Sequence, residues 1–546
     1  MNSIRLQRLR CLSDTGEIKI KPITILVGEN SSGKSTFLRF FPLLKQSVES
    51  RTIGPVLWNG RLVDFGNYKD AHQKHSEEDI CLEFKFEIPS FPKNNALKKN
   101  TDEEIIFWSS RRPLIFNPID VSVILQLLEE KKQQITIIHK LIIKFADSVI
   151  QLEINKENKI SCFLVNSFDI LEMLGDKYIL FDLGHKFMLP QVREFSNNQE
   201  KILNLGILNR VNRTRFIFQQ LFSKLFQITK NKAHKFTSET TIFKMISSFV
   251  IGDSATMLQD IKNNPFSTKT WKKSVNSWTI ESNEFRQFRD LIIANSVPWL
   301  LEQCDDLLAN FATKISYMGP VRATAERYYR TQDLAVDEVD YQGTNLPMFL
   351  RNLTHGELKE FRTWTLNNFG FEPLITTSQG LISLEIRPSK DSKESFNVAD
   401  TGFGFSQILP IITQLWFLSE FTKTSSRIRP PGFRYNSPVI FAIEQPELHL
   451  HPRLQGVLAE VFVKSIEAAK ERGIDLRLVI ETHSEVLINK LGYLVAEKHI
   501  LPEDINIVLF DKSDQSKEIK VRTSQFDSEG YLSEDWPLGF FDMDLI

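Results

Sequence analysis

The chain has 546 residues, 42% of them hydrophobic, which allows two or three domains with substantial cores. A formal net charge of −1 excludes a global field that would draw it to nucleic acid or to an anionic membrane. Four dispersed cysteines (Cys11, Cys81, Cys162, Cys304) fit reduced cytosolic thiols better than a disulfide framework or zinc ribbon, and neither a leader-like N-terminus nor a run of about 18 apolar residues is present, so a cytoplasmic protein without a membrane partner is expected.

Taken in order, residues 1–90 read as one lobe of a nucleotide-binding head. A short strand at 18–20 precedes a buried strand at 23–27, which runs into Gly28-Glu29-Asn30-Ser31-Ser32-Gly33-Lys34-Ser35-Thr36. This stretch fits G-x-x-x-x-G-K-[ST] and is followed by the apolar start of a helix, Phe37-Leu38-Arg39-Phe40-Phe41. Gly28 and Gly33 let the backbone curl until successive N–H groups face phosphate oxygens, and the helix N-terminus adds positive potential. Lys34 is placed to reach the β- and γ-phosphates and Ser35 to offer a hydroxyl to Mg²⁺, with Asn30, Ser32 and Thr36 completing the nucleotide contacts. Residues 64–70, with Gln73 shortly after, form a polar loop before an alternating strand at 79–88.

Residues 91–312 are expected to be an insertion of a β-meander and helices. Strands at 135–145, 149–154 and 160–165, with a turn at 155–159, make the meander. The helical part carries a basic, aromatic-rich stretch: Arg210, Arg213, Arg215, Phe216, Phe218, Phe222, Lys224, Phe226, Lys230, Lys232 and Lys235. A nucleic-acid surface is one reading; an amphipathic helix with buried phenylalanines and solvated charges fits the periodicity better.

Residues 313–546 return to the head. Tyr317-Met318-Gly319-Pro320-Val321-Arg322 ends one strand, 381–387 is another, and 388–397 and 422–437 are polar loops. Asp400-Thr401-Gly402-Phe403-Gly404-Phe405-Ser406-Gln407 opens a helix, whose glycines and serine make a second anion-binding surface. The buried strand at 439–443 ends in Glu444-Gln445-Pro446-Glu447, followed by Leu448-His449-Leu450-His451-Pro452. An acid at the end of a parallel strand beside the phosphate loop is where Mg²⁺ and the attacking water are held. A strand at 476–480 then ends in Glu481-Thr482-His483-Ser484, where a histidine can bond the γ-phosphate or the water. Residues 507–511 and 519–521 read as a closing hairpin.

In this order, the motifs resemble the ABC-type head ATPases of the SMC, overcoming-lysogenization-defect and related bacterial defence families. Glu-x-Pro-Glu-x-His-Leu-His-Pro is typical of the defence branch, and Tyr-x-Gly-Pro-x-Arg at 317–322 with Trp536-Pro537-Leu538-Gly539-Phe540-Phe541-Asp542 resembles one subgroup of it. The resemblance implies an α/β P-loop head, a mixed sheet with an antiparallel β subdomain, and a largely helical insertion. It implies that two heads sandwich ATP, so that Gly402, Gly404 and Ser406 meet ATP on the partner head. It puts Glu444 at the metal position with Ser35, and His483 at the switch. The usual catalytic glutamate falls on Gln445, which cannot act as a base but still lies against the nucleotide; Glu447 is the nearest carboxylate and the expected water activator. If Glu447 does not reach the water, slow hydrolysis and an ATP-gated clamp are expected. Gln73 is either the glutamine-loop residue of transporter-type ATPases or part of a solvated loop. His449 and His451 read as an inter-head loop rather than a metal site, since no third ligand is near.

The stretch after His483 is too short for head strands and a Toprim nuclease, so no built-in nuclease is expected. The resemblance is to PtuA-like ATPases of Septu and retron-associated systems, implying a separate HNH-type nuclease effector, and in some systems a reverse transcriptase with its msDNA or RNA. The alternative is an SMC-like repair or chromosome-maintenance ATPase that clamps DNA itself.

Overall fold

The computed structural model describes residues 1–90, 115, 117–130, 134–155, 160–174, 179–182, 188–194, 219–389, 392, 394–421, 437–512 and 519–532. The chain divides into two compact units, one of residues 4–46, 58–76 and 310–546, the other of 1–3, 47–57 and 77–309.

The first unit is built on a six-stranded sheet in the order Ile315–Met318, Val439–Glu444, Leu476–Glu481, Ile23–Gly28, Ile505–Lys512, Ile519–Ser524. The first five strands run parallel, and the sixth closes the sheet as an antiparallel hairpin. Every residue of Val439–Glu444 and of Ile23–Gly28 is buried. Parallel strands are covered on both faces, so these segments read as unbroken apolar runs rather than alternations. On one face Ile25, Phe441, Ile443, Leu478 and Ile480 share a core with Ile412, Trp416, Phe462 and Leu487 from the helices Phe403–Phe421, Pro452–Glu471 and Glu485–Ala496. The helix Lys34–Glu49 sets the Phe37 ring 6.2 Å from that of Phe510. A small antiparallel sheet of Tyr329–Arg330, Leu381–Arg387, Glu372–Ser378 and Phe396–Asn397 forms the β subdomain. This is the α/β head expected from the motifs. The expected closing hairpin does more than close the sheet, because Ile505–Lys512 is also a core strand parallel to the phosphate-loop strand.

In the second unit, Ile80–Ile88, Ile119–Glu130, Ile135–Phe145, Ser148–Ile154, Ile160–Val165 and Phe168–Asp169 form an antiparallel meander. Alternate burial along Ile119–Glu130 gives this sheet one packed face. Its helices include Gln219–Lys232, Glu239–Ser247, Ser254–Asn263 and Lys269–Val275, and part of Asn283–Thr313. Trp271 anchors them, with its ring 5.7 Å from Phe288 and its Nε1 donating to the Ile261 carbonyl at 2.9 Å.

Within the basic, aromatic-rich stretch, the described part is a helix whose Phe222 and Phe226 rings lie 5.3 and 5.1 Å from Phe243. Lys230 pairs with Glu239 at 3.0 Å, and Lys232 lies over the Trp278 ring at 5.1 Å. Arg210, Arg213, Arg215, Phe216 and Phe218 fall outside the described residues, as do 422–436, most of the 155–159 turn and the 536–542 motif.

Candidate functional site

The site starts from the backbone of the phosphate loop. Gly28 ends its strand with φ +148° and Gly33 precedes the helix with φ +97°. A Cβ at Gly28 would overlap the Phe510 carbonyl oxygen on the neighbouring strand, and one at Gly33 would lie 2.5 Å from Leu12 Cδ2. Both positions therefore require glycine for conformation and for space. Ser31 also takes a positive φ, +63°. The curl this creates turns Lys34 back onto its own loop: Nζ donates to the carbonyls of Gly28 at 2.8 Å and Glu29 at 2.5 Å. Burial pulls the Lys34 ammonium below the ordinary lysine range, opposed by Glu481, Glu29 and Glu447. Thr36 is buried beside Cys11, its hydroxyl 3.9 Å from the thiol, while Asn30 is exposed at the loop tip.

The acids come from two strand ends. Leu476–Glu481 lies between the Glu444 strand and the loop strand, and Glu444 and Glu481 are register partners. The helix reaches across to Glu444 with Arg39, one turn beyond Ser35, which forks onto the carboxylate at 2.7 and 2.8 Å. Tyr317 adds its hydroxyl to Glu444 Oε1 at 2.7 Å. The Glu444 hydrogen bond holds the Arg39 guanidinium well above its ordinary range, and burial beside Glu444 pushes the Tyr317 phenol up. Glu481 instead accepts from Ser35 Oγ at 2.8 Å. Burial, reinforced by Glu444, pushes it up to about 7.

Glu447 is held by the neighbouring strand-end turn. His483 N donates to its Oε1 at 2.7 Å and Thr482 Oγ1 to its Oε2 at 2.9 Å. Burial raises the Glu447 carboxyl above its usual range, and the His483 N–H and Thr482 hydroxyl work against that rise. Burial also depresses His483, helped by Lys34, which favours the neutral imidazole. Gln445 adopts φ +44°, and its N–H bonds the Glu481 carbonyl at 2.8 Å, so the strand-end turn is tied across to the next strand. Arg322 is 2% exposed and braces the same turn: Nη2 donates to the carbonyls of Glu444 at 2.7 Å and Gln445 at 3.3 Å. Burial lowers its pKa to about 10.

The signature segment is placed differently. Gly402 (φ +81°) and Gly404 lie at the start of Phe403–Phe421; Phe403 is 58% exposed with its ring 5.9 Å from His449. Ser406 turns its hydroxyl onto the Phe403 carbonyl at 2.8 Å. Among the described residues, none of these contacts reaches the phosphate loop. Gln73 is held through its backbone to the Arg8 carbonyl and makes none of the site contacts above. His451 caps the helix Pro452–Glu471, with its ring nitrogen accepting from Arg453 N. Among the described residues, no group of three or more His, Cys, Asp or Glu is arranged around a metal position.

The residues fit a nucleotide with its cation. Among the described residues, Ser32 Oγ, Glu481 Oε2, His483 Nε2 and the Nε and Nη1 of Arg322 are all buried without a hydrogen-bond partner. Buried polar atoms are ordinarily satisfied, so such a cluster around a glycine loop with a buried lysine calls for a charged, oxygen-rich ligand. Sequence reading assigned roles to Lys34, Ser35, Glu444, Glu447 and His483, which the structure brings together. It gave none to Glu481, Arg39, Tyr317 or Arg322. The signals for them were the strand-final position of Glu481 and the i, i+4 spacing of Ser35 and Arg39.

No curated protein sequence matches the chain. Solved structures similar to it include the SmcHead bound to the C-winged helix domain of ScpA, at 8% identity and TM-score 0.33, covering 96% of this chain and 98% of that one. Another is the Smc head domain with an extended coiled coil bound to the C-terminal domain of ScpA derived from Pyrococcus furiosus, at 10% identity and TM-score 0.31, covering 96% and 95%. The family model described as the AAA ATPase domain matches residues 1–488, a span that holds the phosphate loop, both acidic strand ends and His483. With a glycine-built phosphate loop and buried acids converging on Lys34, this ATP-binding chain is an ATPase and belongs to the AAA ATPase domain family.

Proposed function

We propose that this ATPase is the nucleotide-gated subunit of a bacterial anti-phage system, pairing two heads around ATP in the cytoplasm to control a separate nuclease effector of HNH type. One observation carries the reading. The segment Glu444-Gln445-Pro446-Glu447-Leu448-His449-Leu450-His451-Pro452, which resembles the defence branch, is built into the site, with Glu447 fastened to the Thr482–His483 turn. Two features favour a slow ATPase used as a gate. Gln445 stands where a base is usual, and both Glu447 oxygens already accept hydrogen bonds within the chain.

In this reading the loop N–H groups, Ser32 and Lys34 hold the phosphates, and Ser35 with one strand-end acid would hold magnesium, which would neutralise phosphate charge. Glu447 receives the water proton, and neutral His483 orients the water or γ-phosphate. Gly402, Gly404 and Ser406 meet ATP on the partner head; Phe403 and the open space around Gly402 leave that helix start accessible.

The test is to tag the chain, express it with its native flanking genes and identify what co-purifies at moderate salt. A stoichiometric nuclease, with or without a reverse transcriptase and its nucleic acid, is expected. A homo-oligomer carrying only ATP, or DNA held with a steep salt dependence, would replace this reading with a self-contained DNA clamp.

A further inference from the structure

Two carboxylates end neighbouring parallel strands in perfect register, yet their surroundings are opposite. Both oxygens of Glu444 are taken, by the two Arg39 bonds at 2.7 and 2.8 Å and by the Tyr317 hydroxyl at 2.7 Å. A cation approaching Glu444 must displace a bidentate guanidinium, the strongest side-chain partner a carboxylate has. Among the described residues, Glu481, 3% exposed, has no cationic side chain bonded to it. Its Oε1 accepts from Ser35 Oγ at 2.8 Å, and its Oε2 is buried with no partner. An uncompensated buried carboxylate oxygen is costly, and its cost disappears when a cation binds.

The spacing also fits. Adjacent ligands on an octahedral magnesium of about 2.1 Å bond length lie about 3 Å apart. Ser35 Oγ and Glu481 Oε1 stand at 2.8 Å, so both can serve one ion without moving apart. The remaining ligands then come from phosphate oxygens and water, as is usual where magnesium is bound with a nucleotide.

We propose that Glu481, not Glu444, is the carboxylate that joins Ser35 on the divalent cation, and that Glu444 is a positioning residue that locks Arg39 and Tyr317 at the sheet edge. The proposal rests on the reading of this loop as the ATP site. It reassigns the metal carboxylate from the end of one strand to the end of the strand beside it.

The test uses the full chain with Mn²⁺ and adenylyl imidodiphosphate, reading bound Mn²⁺ by electron paramagnetic resonance, with fluorescent-ATP binding in EDTA as a parallel measurement. Glu481→Gln is expected to weaken Mn²⁺ about tenfold or more while metal-free nucleotide binding stays near wild type. Glu444→Gln is expected to keep Mn²⁺ affinity within about threefold and instead to lower the thermal midpoint, since Arg39 loses its charged partner. Glu481→Asp keeps a carboxylate but draws it back; if Glu481→Gln does not fold, a clear loss of Mn²⁺ in the aspartate variant supports the assignment and an unchanged affinity overturns it. Wild-type Mn²⁺ affinity in Glu481→Gln, or a tenfold loss confined to Glu444→Gln, also overturns it. A wild-type chain that binds no nucleotide either with Mg²⁺ or in EDTA would sink the ATP-site reading itself, and that outcome is visible before any variant is compared.

Discussion

Lys34 illustrates how much of the site is set by single residues. Its ammonium donates to the Gly28 and Glu29 carbonyls at 2.8 and 2.5 Å, on the loop that carries it. Removing it takes away a cation that interacts with Glu481, Glu29 and Glu447. Lys34→Ala is expected to abolish ATP binding, read as loss of fluorescent-nucleotide signal at concentrations that saturate wild type. Asp305 in the other unit gives a pH-dependent case. One oxygen accepts from Leu189 N at 2.8 Å, the other is buried without a partner, and burial pushes the carboxyl up to about 8. A carboxyl raised on folding binds its proton more tightly in the native state, so its contribution is largest below about pH 4 and is lost as pH rises toward 8. Asp305→Asn should therefore flatten the fall in thermal stability between about pH 5 and pH 8, and an unchanged slope would show that Asp305 is ionised in the folded protein. Neither its buried state nor the Glu481 pairing is legible in a sequence, because both depend on partners far along the chain: Glu481 and Ser35 are 446 positions apart.

Elements in this protein are held by local chemistry that can be read in advance, and by neighbours that cannot. The helix His355–Phe369 carries its own boundaries. Thr354 accepts from Glu357 N, Glu357 returns a bond to Thr354 N at 2.7 Å, and Gly370 ends the helix at φ +77°. Thr354→Ala should cost about 1 kcal/mol, seen as faster hydrogen exchange of the first-turn amides, with Thr354→Ser restoring protection. The strand before the phosphate loop was equally plain from its apolar run. What sits next to it was not. Leu476–Glu481 comes between that strand and Val439–Glu444, a neighbour relation that depends on how crossover helices pack rather than on either segment alone. That ordering is why Glu481, and not Glu444, meets Ser35.

For the whole molecule, the head assignment and the family stand on the P-loop sheet and on a match over residues 1–488. Among the described residues, no helix is long and apolar enough to cross a membrane. The paired-head reading makes a prediction at this scale. Glu447→Gln keeps one acceptor oxygen, enough for only one of the His483 and Thr482 donors, and cannot take a proton, so it should trap an ATP-bound dimer. Light scattering after gel filtration with ATP and Mg²⁺ should give twice the mass of the chain for the variant and a mixture for wild type. Turnover equal to wild type in Glu447→Gln would remove Glu447 as the base.

The sequence by itself determined the chemistry that contiguous residues can hold: a glycine loop able to curl, a lysine and a serine at a helix start, acids and a histidine at the ends of apolar runs. These are legible because backbone conformation and helix polarity act over a few residues. Only the tertiary structure decided how the carboxylates divide their work. It set Arg39 and Tyr317 on Glu444, Ser35 on Glu481 and the Thr482–His483 turn on Glu447. A carboxylate's role follows from which charges surround it and how much water is excluded, and both are fixed only when distant strands come to lie side by side.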